Sequence, residues 1–257
     1  MTVRLDGRVA IVTGGARGIG QAYCLGLARA GAKVVVADVL ETGETVAKIK
    51  ELGAAAVGVH VDVARFNSAQ AMTTRTIEAF QKIDILVNNA ALMANLTPGP
   101  FTQIPEDEWD RVMAVNVKGI WHCIRAVTPS MSQQQYGKII NISSTTVLMG
   151  IPGLLHYVTS KGAVFAMTRA LSRELGPLGI RINTIMPGLT QSQAIKDMVA
   201  AFPEQLGEMS KQLAAQAALG REQYPEDLVG TVLFLASEDS DFITGQNFTV
   251  DGGVVHW

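Results

Sequence analysis

"RVAIVTGGARGIG", Arg8 to Gly20, is the stretch on which the fold turns. A short apolar run rich in β-branched residues meets a glycine-rich turn, and the turn opens a helical pattern. The run reads as a buried strand over 8–14 and the pattern as a helix over 18–30. Gly14 permits the tight turn, while Gly18 and Gly20, flanking Ile19 and following Arg17, allow backbone and helix to come close to a bound group. The helix N-terminus offers unpaired N–H groups and a partial positive charge, which suits the pyrophosphate of a dinucleotide.

Outward from this turn the same strand-then-helix rhythm repeats without a linker. Further strands are expected over 32–38, 56–62, 84–90, 137–143, 179–188 and 246–253. Helices are expected over 42–52, 67–81, 106–132, 157–175 and 226–237. Short β-branched strands of this kind suit burial on both faces. Their alternation with helices implies right-handed βαβ units. The expected fold class is α/β: a doubly wound, Rossmann-type parallel sheet of about seven strands with helices on both faces. It would form a single domain over 1–257. The stretch 189–224, rich in Ala, Gln and Met, breaks the rhythm and reads as a small helical substrate lid.

Composition narrows the function classes. Of 257 residues, 48% are hydrophobic and 17% charged, enough to bury a large core. A formal net charge of −2 gives no basic field to favour nucleic acid or an anionic membrane. No apolar run approaches the roughly 20 residues a membrane span needs. The N-terminus carries charge where a signal peptide would be apolar. Cys24 and Cys123 make no disulfide framework and suit a reduced, cytoplasmic setting. The histidines have no ligand spacing, so no metal site is expected.

Asp38 ends the second strand, eighteen residues after Gly20, where a carboxylate can accept hydrogen bonds from an adenosine ribose and would repel a 2′-phosphate. That favours NAD over NADP, with Arg17 a partial offset. Asp62 and Val63 close the third strand at the same edge, near where adenine would lie.

Tyr157 and Lys161 stand four apart, on one face of a helix. A free tyrosine has a pKa of about 10, and bringing it down by about three pH units takes roughly 4 kcal/mol of phenolate stabilisation. A nearby ammonium at an effective dielectric of about 20 supplies that order of energy. Tyr157 can then exchange a proton with an alcohol or carbonyl oxygen, and Ser144, thirteen positions earlier, can hydrogen-bond the same oxygen. Ser143 competes for that role, but the interval favours Ser144.

With these residues in hand the chain resembles the short-chain dehydrogenase/reductases of the shorter, single-domain type. The matching elements are Thr13–Gly20, "NNA" at 88–90, "NVKG" at 116–119, Ser144, Tyr157 with Lys161, "MPG" at 186–188 and "ITGQNFTVDGG" at 243–253. They occur in the family's order and span essentially the whole chain. The resemblance implies hydride transfer with a nicotinamide cofactor and a homotetramer. It makes Tyr157 the acid/base and Lys161 its pKa-lowering, ribose-binding partner. Ser144 becomes the substrate-polarising residue, and Asn116 the residue that joins a water to Lys161. Asn89 and Ala90 would lie beside the adenosine side, and Pro187, Gly188, Leu189 and Thr190 would hold the carboxamide. Ala91 departs from the family's usual glycine, its methyl narrowing the floor under the cofactor.

The positions expected around the carbonyl are mostly apolar: Leu92, Met93, Leu96, Met149, Leu154 and Leu155, with Met198 and Phe202 of the lid above. Trp257 would add to them. Met198, Phe202, Met209 and Leu213 have two readings, packing the segment down or closing over substrate. No Lys or Arg cluster stands among these residues to receive a carboxylate or phosphate. The expected reaction interconverts a secondary alcohol and a ketone on a hydrophobic cyclic or aryl small molecule. The alternatives are a 3-oxoacyl thioester reductase, a polyol or sugar dehydrogenase, or a non-catalytic NAD-binding regulator. A nucleotide-sugar epimerase is disfavoured by the compact glycine spacing. His156 is expected to line the pocket or face solvent.

Overall fold

A computed structural model describes residues 3–93 and 96–256, apart from the side chains of 194, 203–206 and 208–210. The chain opens with β1 (Val9–Thr13), α1 (Gly18–Arg29), β2 (Lys33–Asp38), α2 (Gly43–Glu51), β3 (Ala56–His60), α3 (Phe66–Phe80) and β4 (Ile85–Asn88). It continues through α4 (Glu106–Met113), α5 (Gly119–Gln134), β5 (Gly137–Ile142), α6 (Thr146–Met149), α7 (Leu155–Leu175) and β6 (Ile180–Pro187). The last elements are α8 (Gln193–Ala201), α9 (Pro203–Gln216), α10 (Val229–Ala236) and β7 (Asn247–Val250). Among the described residues the strands make one seven-stranded sheet in the order β3-β2-β1-β4-β5-β6-β7. Every neighbouring pair is parallel.

Alternate strand residues supply two separate cores, as the period of two requires. Val12, Val36, Val87 and Ile142 face α1 and α10. Ile11, Val35, Leu86 and Ile139 face α3, α5 and α7. A buried leucine or isoleucine here contributes roughly 1.5–3 kcal/mol through area removed from water. Burial on both faces holds for β1, β2, β4 and β5. It fails for β3 and β7, which are half-buried because they are the sheet's edges.

Two local features depart from the sequence reading. The helix expected over 106–132 is interrupted by a π-helical turn at Ala114–Lys118, which divides α4 from α5. The short helix α6 was not expected at all. The insertion is two helices, α8 and α9, whose flanks are tied together: Gln191 donates its N–H to Gln223 O at 2.7 Å, and Gln223 Nε2 donates to Val250 O at 2.7 Å. Among the described residues no helix is long and apolar enough to cross a membrane.

From β1 the chain winds outward through β2 and β3, then returns to place β4 on β1's other side. At such a reversal the connections after neighbouring strands run apart and leave a crevice at the strands' C-terminal ends.

Candidate active site

The glycine-rich turn lies on one wall of this crevice. Gly14 has φ +66°, and a Cβ there would come within 2.8 Å of Ala90 Cα; a Cβ on Gly20 would run into the Gly14 carbonyl. Asn89 closes the gap from β4 by donating its Nδ2 to Thr13 O at 3.1 Å and Gly14 O at 3.0 Å. Asp38 is 7% exposed and takes the N–H of Ala16 at 2.9 Å and of Leu40 at 3.0 Å, one on each oxygen. It therefore ties the turn to the end of β2, while each oxygen keeps a second acceptor position. Asp62 accepts the N–H of Ala64 at 3.0 Å and pairs with Arg65.

A cavity of about 460 Å³ runs along the crevice, within the usual range for a ligand site. It touches Gly14, Arg17, Gly18, Ile19 and Gly20, then Asp38, Asp62 and Val63, then Asn89 and Ala90. Beyond these it reaches Ser144, Met149, Leu154, Tyr157 and Lys161, and the run Pro187, Gly188, Leu189 and Thr190. Residues distant in sequence thus share one concave surface that runs from the glycine turn to Tyr157 and Lys161.

Ser144, Tyr157 and Lys161 are all buried. Ser144 and Tyr157 are neighbours close enough to affect each other's titration, and Ser144 Oγ accepts the Thr146 N–H at 3.2 Å. The neighbouring Ser143 is committed elsewhere, donating to Lys161 O at 2.8 Å. Lys161 Nζ lies 5.7 Å from the Tyr157 ring centre and donates to Ile142 O at 2.8 Å. Burial pushes Tyr157 up to about 12, with the nearby Ser144 hydroxyl pulling the other way, and pushes Lys161 down to about 8. Desolvation is the largest effect on both groups, because each loses water and neither gains a close counter-charge.

Asn116 occupies the π-helical turn and is fully buried. Its Oδ1 accepts the Leu92 N–H at 2.7 Å, and its Nδ2 donates to Leu92 O and to Ser160 Oγ, each at 3.1 Å. Ser160 in turn donates to Tyr157 O at 2.7 Å. The Asn116 side chain is therefore held by protein groups, and the residue is not among those that line the cavity.

Four of the residues expected around the carbonyl, Leu96, Leu155, Met198 and Phe202, also lie off the cavity wall. Leu155 is 44% exposed, pointing away because it precedes Tyr157 by two positions on a helix. Met198 and Phe202 pack against Leu96, Val112, Leu154 and Tyr157, so they fasten the lid down. His156 neither lines the cavity nor faces solvent; it is wholly buried, with Nε2 3.0 Å from Glu108 Oε1. Trp257 lies outside the described residues, as does the side chain of Met209. Lid residues that do line the cavity include Ile195, Leu213, Ala214 and Ala217. Leu213 and Ala217 are four apart, a spacing visible in the sequence, but which face of the helix turns inward was not. Among the described residues no group of three or more His, Cys, Asp or Glu could hold a metal.

The profile of the family described as Enoyl-(Acyl carrier protein) reductase matches residues 14–255. An uncharacterized oxidoreductase of Mycobacterium tuberculosis is 43% identical over 252 residues, covering 97% of this chain and 98% of its own. A 3-alpha-(or 20-beta)-hydroxysteroid dehydrogenase of the same species is 40% identical over 256 residues, covering 99% and 92%. The crystal structure of levodione reductase superimposes with a TM-score of 0.91 at 28% identity, covering 97% of this chain and 98% of that one. Glycine turn, seven-stranded parallel sheet, buried Ser–Tyr–Lys group and full-length relatives agree: the chain belongs to the short-chain dehydrogenase/reductase family.

Proposed function

We propose that this oxidoreductase interconverts a secondary alcohol and a ketone on a hydrophobic cyclic or aryl substrate, using NAD in preference to NADP. The observation that carries the reading is the gathering of buried Ser144, Tyr157 and Lys161 on one cavity wall, at the junction between the glycine turn and the lid. Bound nicotinamide supplies or removes the hydride at the carbinol carbon. Tyr157 gives its proton to the carbonyl oxygen in reduction and takes it back in oxidation. Ser144 donates a hydrogen bond to the same oxygen, stabilising charge as it develops there. Lys161 holds the ribose hydroxyls and its positive charge lowers the cost of the phenolate.

Tyr157 is neutral at physiological pH, the form that serves as an acid. Oxidation requires the phenolate, so its rate should rise with pH, while reduction, which uses the neutral form, should be level through neutrality and fall only at alkaline pH as Lys161 and then Tyr157 lose their protons.

NAD preference is supported by Asp38, whose carboxylate lines the cavity at the end where a 2′-phosphate would lie. Pro187 through Thr190 serve the carboxamide, and Asp62, Val63, Asn89 and Ala90 the adenosine half. The substrate class is supported by Met149, Leu154, Ile195 and Leu213, while Arg221, the cation among the lining residues near the lid, is engaged bidentately by Asp227. The hydroxysteroid specificity of the 40% identical relative points the same way. A 3-oxoacyl thioester is the second reading, favoured by the acyl-carrier description of the family profile.

Residues 1–257 act as one cofactor-binding domain with 189–224 as its lid. The buried free thiols of Cys24 and Cys123 suit the reducing cytoplasm. A homotetramer accords with the half-exposed Trp121 on α5, over which Arg125 lies. The deciding experiment follows the reduced cofactor's absorbance with NAD and a panel of secondary alcohols. Higher kcat/KM on hydrophobic cyclic or aryl alcohols than on 3-hydroxyacyl thioesters or polyols is the expected outcome; the reverse order rejects the substrate class, and a preference for NADP rejects the cofactor.

A further inference from the structure

Tyr157 is the third residue of α7, and a helix's first turn is its least secured part, with N–H groups that have no partner within the helix. Here the N-cap residue, Leu154, provides no side-chain cap. The loop entering the helix contains two left-handed glycines, Gly150 at φ +61° and Gly153 at φ +85°. Something outside α7 must hold its first turn if the Tyr157 hydroxyl is to stay aimed at Ser144.

Helix α4 supplies two contacts from one face. Val112 packs with Leu154 and Tyr157 in a buried cluster. One turn earlier on the same face, Glu108 meets His156. A carboxylate only accepts, so the imidazole Nε2–H is the donor of this 3.0 Å bond. The imidazole is 0% exposed and the Glu108 side chain 12%. Glu108 sits in the first turn of α4, where the helix dipole favours its charge. The other imidazole nitrogen, Nδ1, is buried without a hydrogen-bond partner among the described residues. An apolar ring of similar size would fill this space without leaving a buried nitrogen unpaired. The bond to Glu108 is therefore the feature that sets histidine apart from such a ring here.

We propose that Glu108 and His156 are a positioning pair. Neither touches the reacting atoms; together they pin the first turn of α7 to α4 and thereby fix the direction of the Tyr157 hydroxyl. The inference rests on the reading of Tyr157 as the acid/base.

The test measures kcat with NAD and a turned-over alcohol, together with the dissociation constant of NADH. Glu108→Ala and His156→Phe should each lower kcat roughly 10- to 100-fold, the scale expected when a reacting group is misplaced by about an ångström. NADH affinity should stay within about twofold, since the cofactor wall is untouched. The double variant should be no slower than the worse single one, as two members of one interaction are not additive. Glu108→Gln keeps an acceptor for the Nε2–H and should retain most of the rate, and it serves equally should Glu108→Ala fail to fold. In a Tyr157→Phe background, Glu108→Ala should have no further effect on the residual rate.

Near-parental kcat in Glu108→Ala and His156→Phe overturns the pair, as does a Gln variant as slow as the Ala variant. Loss of NADH affinity in step with kcat makes the contact a general support of the fold and also overturns it. So does a full-sized effect of Glu108→Ala in the Tyr157→Phe background. If Tyr157→Phe alone keeps parental turnover, the acid/base reading fails and takes the pair with it. A slow Tyr157→Phe beside a normal Glu108→Ala sinks the pair only.

Discussion

At the glycine-turn end of the cleft the surface offered to a ligand is mostly backbone, whereas at the lid end it is mostly side chain. Gly14 and Gly20 leave no room for a Cβ, and the N–H groups of Ala16 and Leu40 are organised around one carboxylate. At the other end Leu213 and Ala214 of α9, Ile195 of α8 and Leu154 at the entry to α7 present apolar side chains. Backbone geometry of this kind recognises what is common to all dinucleotides. Side chains on a helical flap can be exchanged without disturbing the sheet, so they are where one substrate is told from another. Ser144, Tyr157 and Lys161 stand where the two ends meet.

The largest effect should come from this junction. Tyr157→Phe keeps the ring and its packing but removes the exchangeable proton, and turnover should fall roughly 10²–10⁴-fold. Binding of NADH, followed by fluorescence, should be nearly unchanged. A variant that keeps its turnover would mean that the proton passes through another group.

Lys161 separates function from stability. Its buried ammonium titrates at about 8 against an ordinary 10.5, so near neutral pH folding carries about 3 kcal/mol of cost for keeping it charged. Below pH 8 folded and unfolded chains both hold the proton and the whole cost applies. As pH rises from 8 to 10.5 the folded protein sheds the proton first and the cost disappears. Lys161→Met should therefore be inactive yet melt several degrees higher at pH 7, even after losing the bond to Ile142 O. Its advantage should vanish above about pH 10.5. Calorimetry across this pH range checks both points, and a Met variant less stable at pH 7 would contradict them.

The cofactor end can be altered by itself. Asp38→Ala removes the charge opposing a 2′-phosphate and should shift the ratio of kcat/KM values toward NADP by roughly 10- to 100-fold. Alcohol specificity measured at saturating cofactor should not change. An unaltered cofactor ratio would show that Asp38 serves only to join the turn to β2.

The smallest effect belongs to the lid. Leu213→Ala should lower kcat/KM for the bulkiest hydrophobic alcohols roughly tenfold, as loss of apolar contact in a pocket does. The KM for NAD should hold steady. If small and bulky alcohols are affected alike, Leu213 shapes the lid rather than the pocket.

Much of this was written in the sequence. Arg8–Gly20 announces a strand, a turn that only glycine can make and a helix start, and repetition of that unit is enough to require a parallel sheet. The spacing of Tyr157 and Lys161 places them on one helix face by geometry alone, and the end of β2 fixes Asp38. These are local properties, set by periods of two and 3.6 residues and by backbone sterics. Tertiary structure decided the rest. It broke the helix after Met113 with a π-helical turn, turned Leu155 out to solvent and buried His156 against Glu108. It also used Met198 and Phe202 to fasten the lid while Leu213 and Ala217 took the wall. Even the protonation of the tyrosine and lysine was decided there: their spacing is local, but desolvation depends on every element packed around them. A sequence sets which residues share a face; which face turns inward, and how dry it becomes, follows from what the rest of the chain puts opposite.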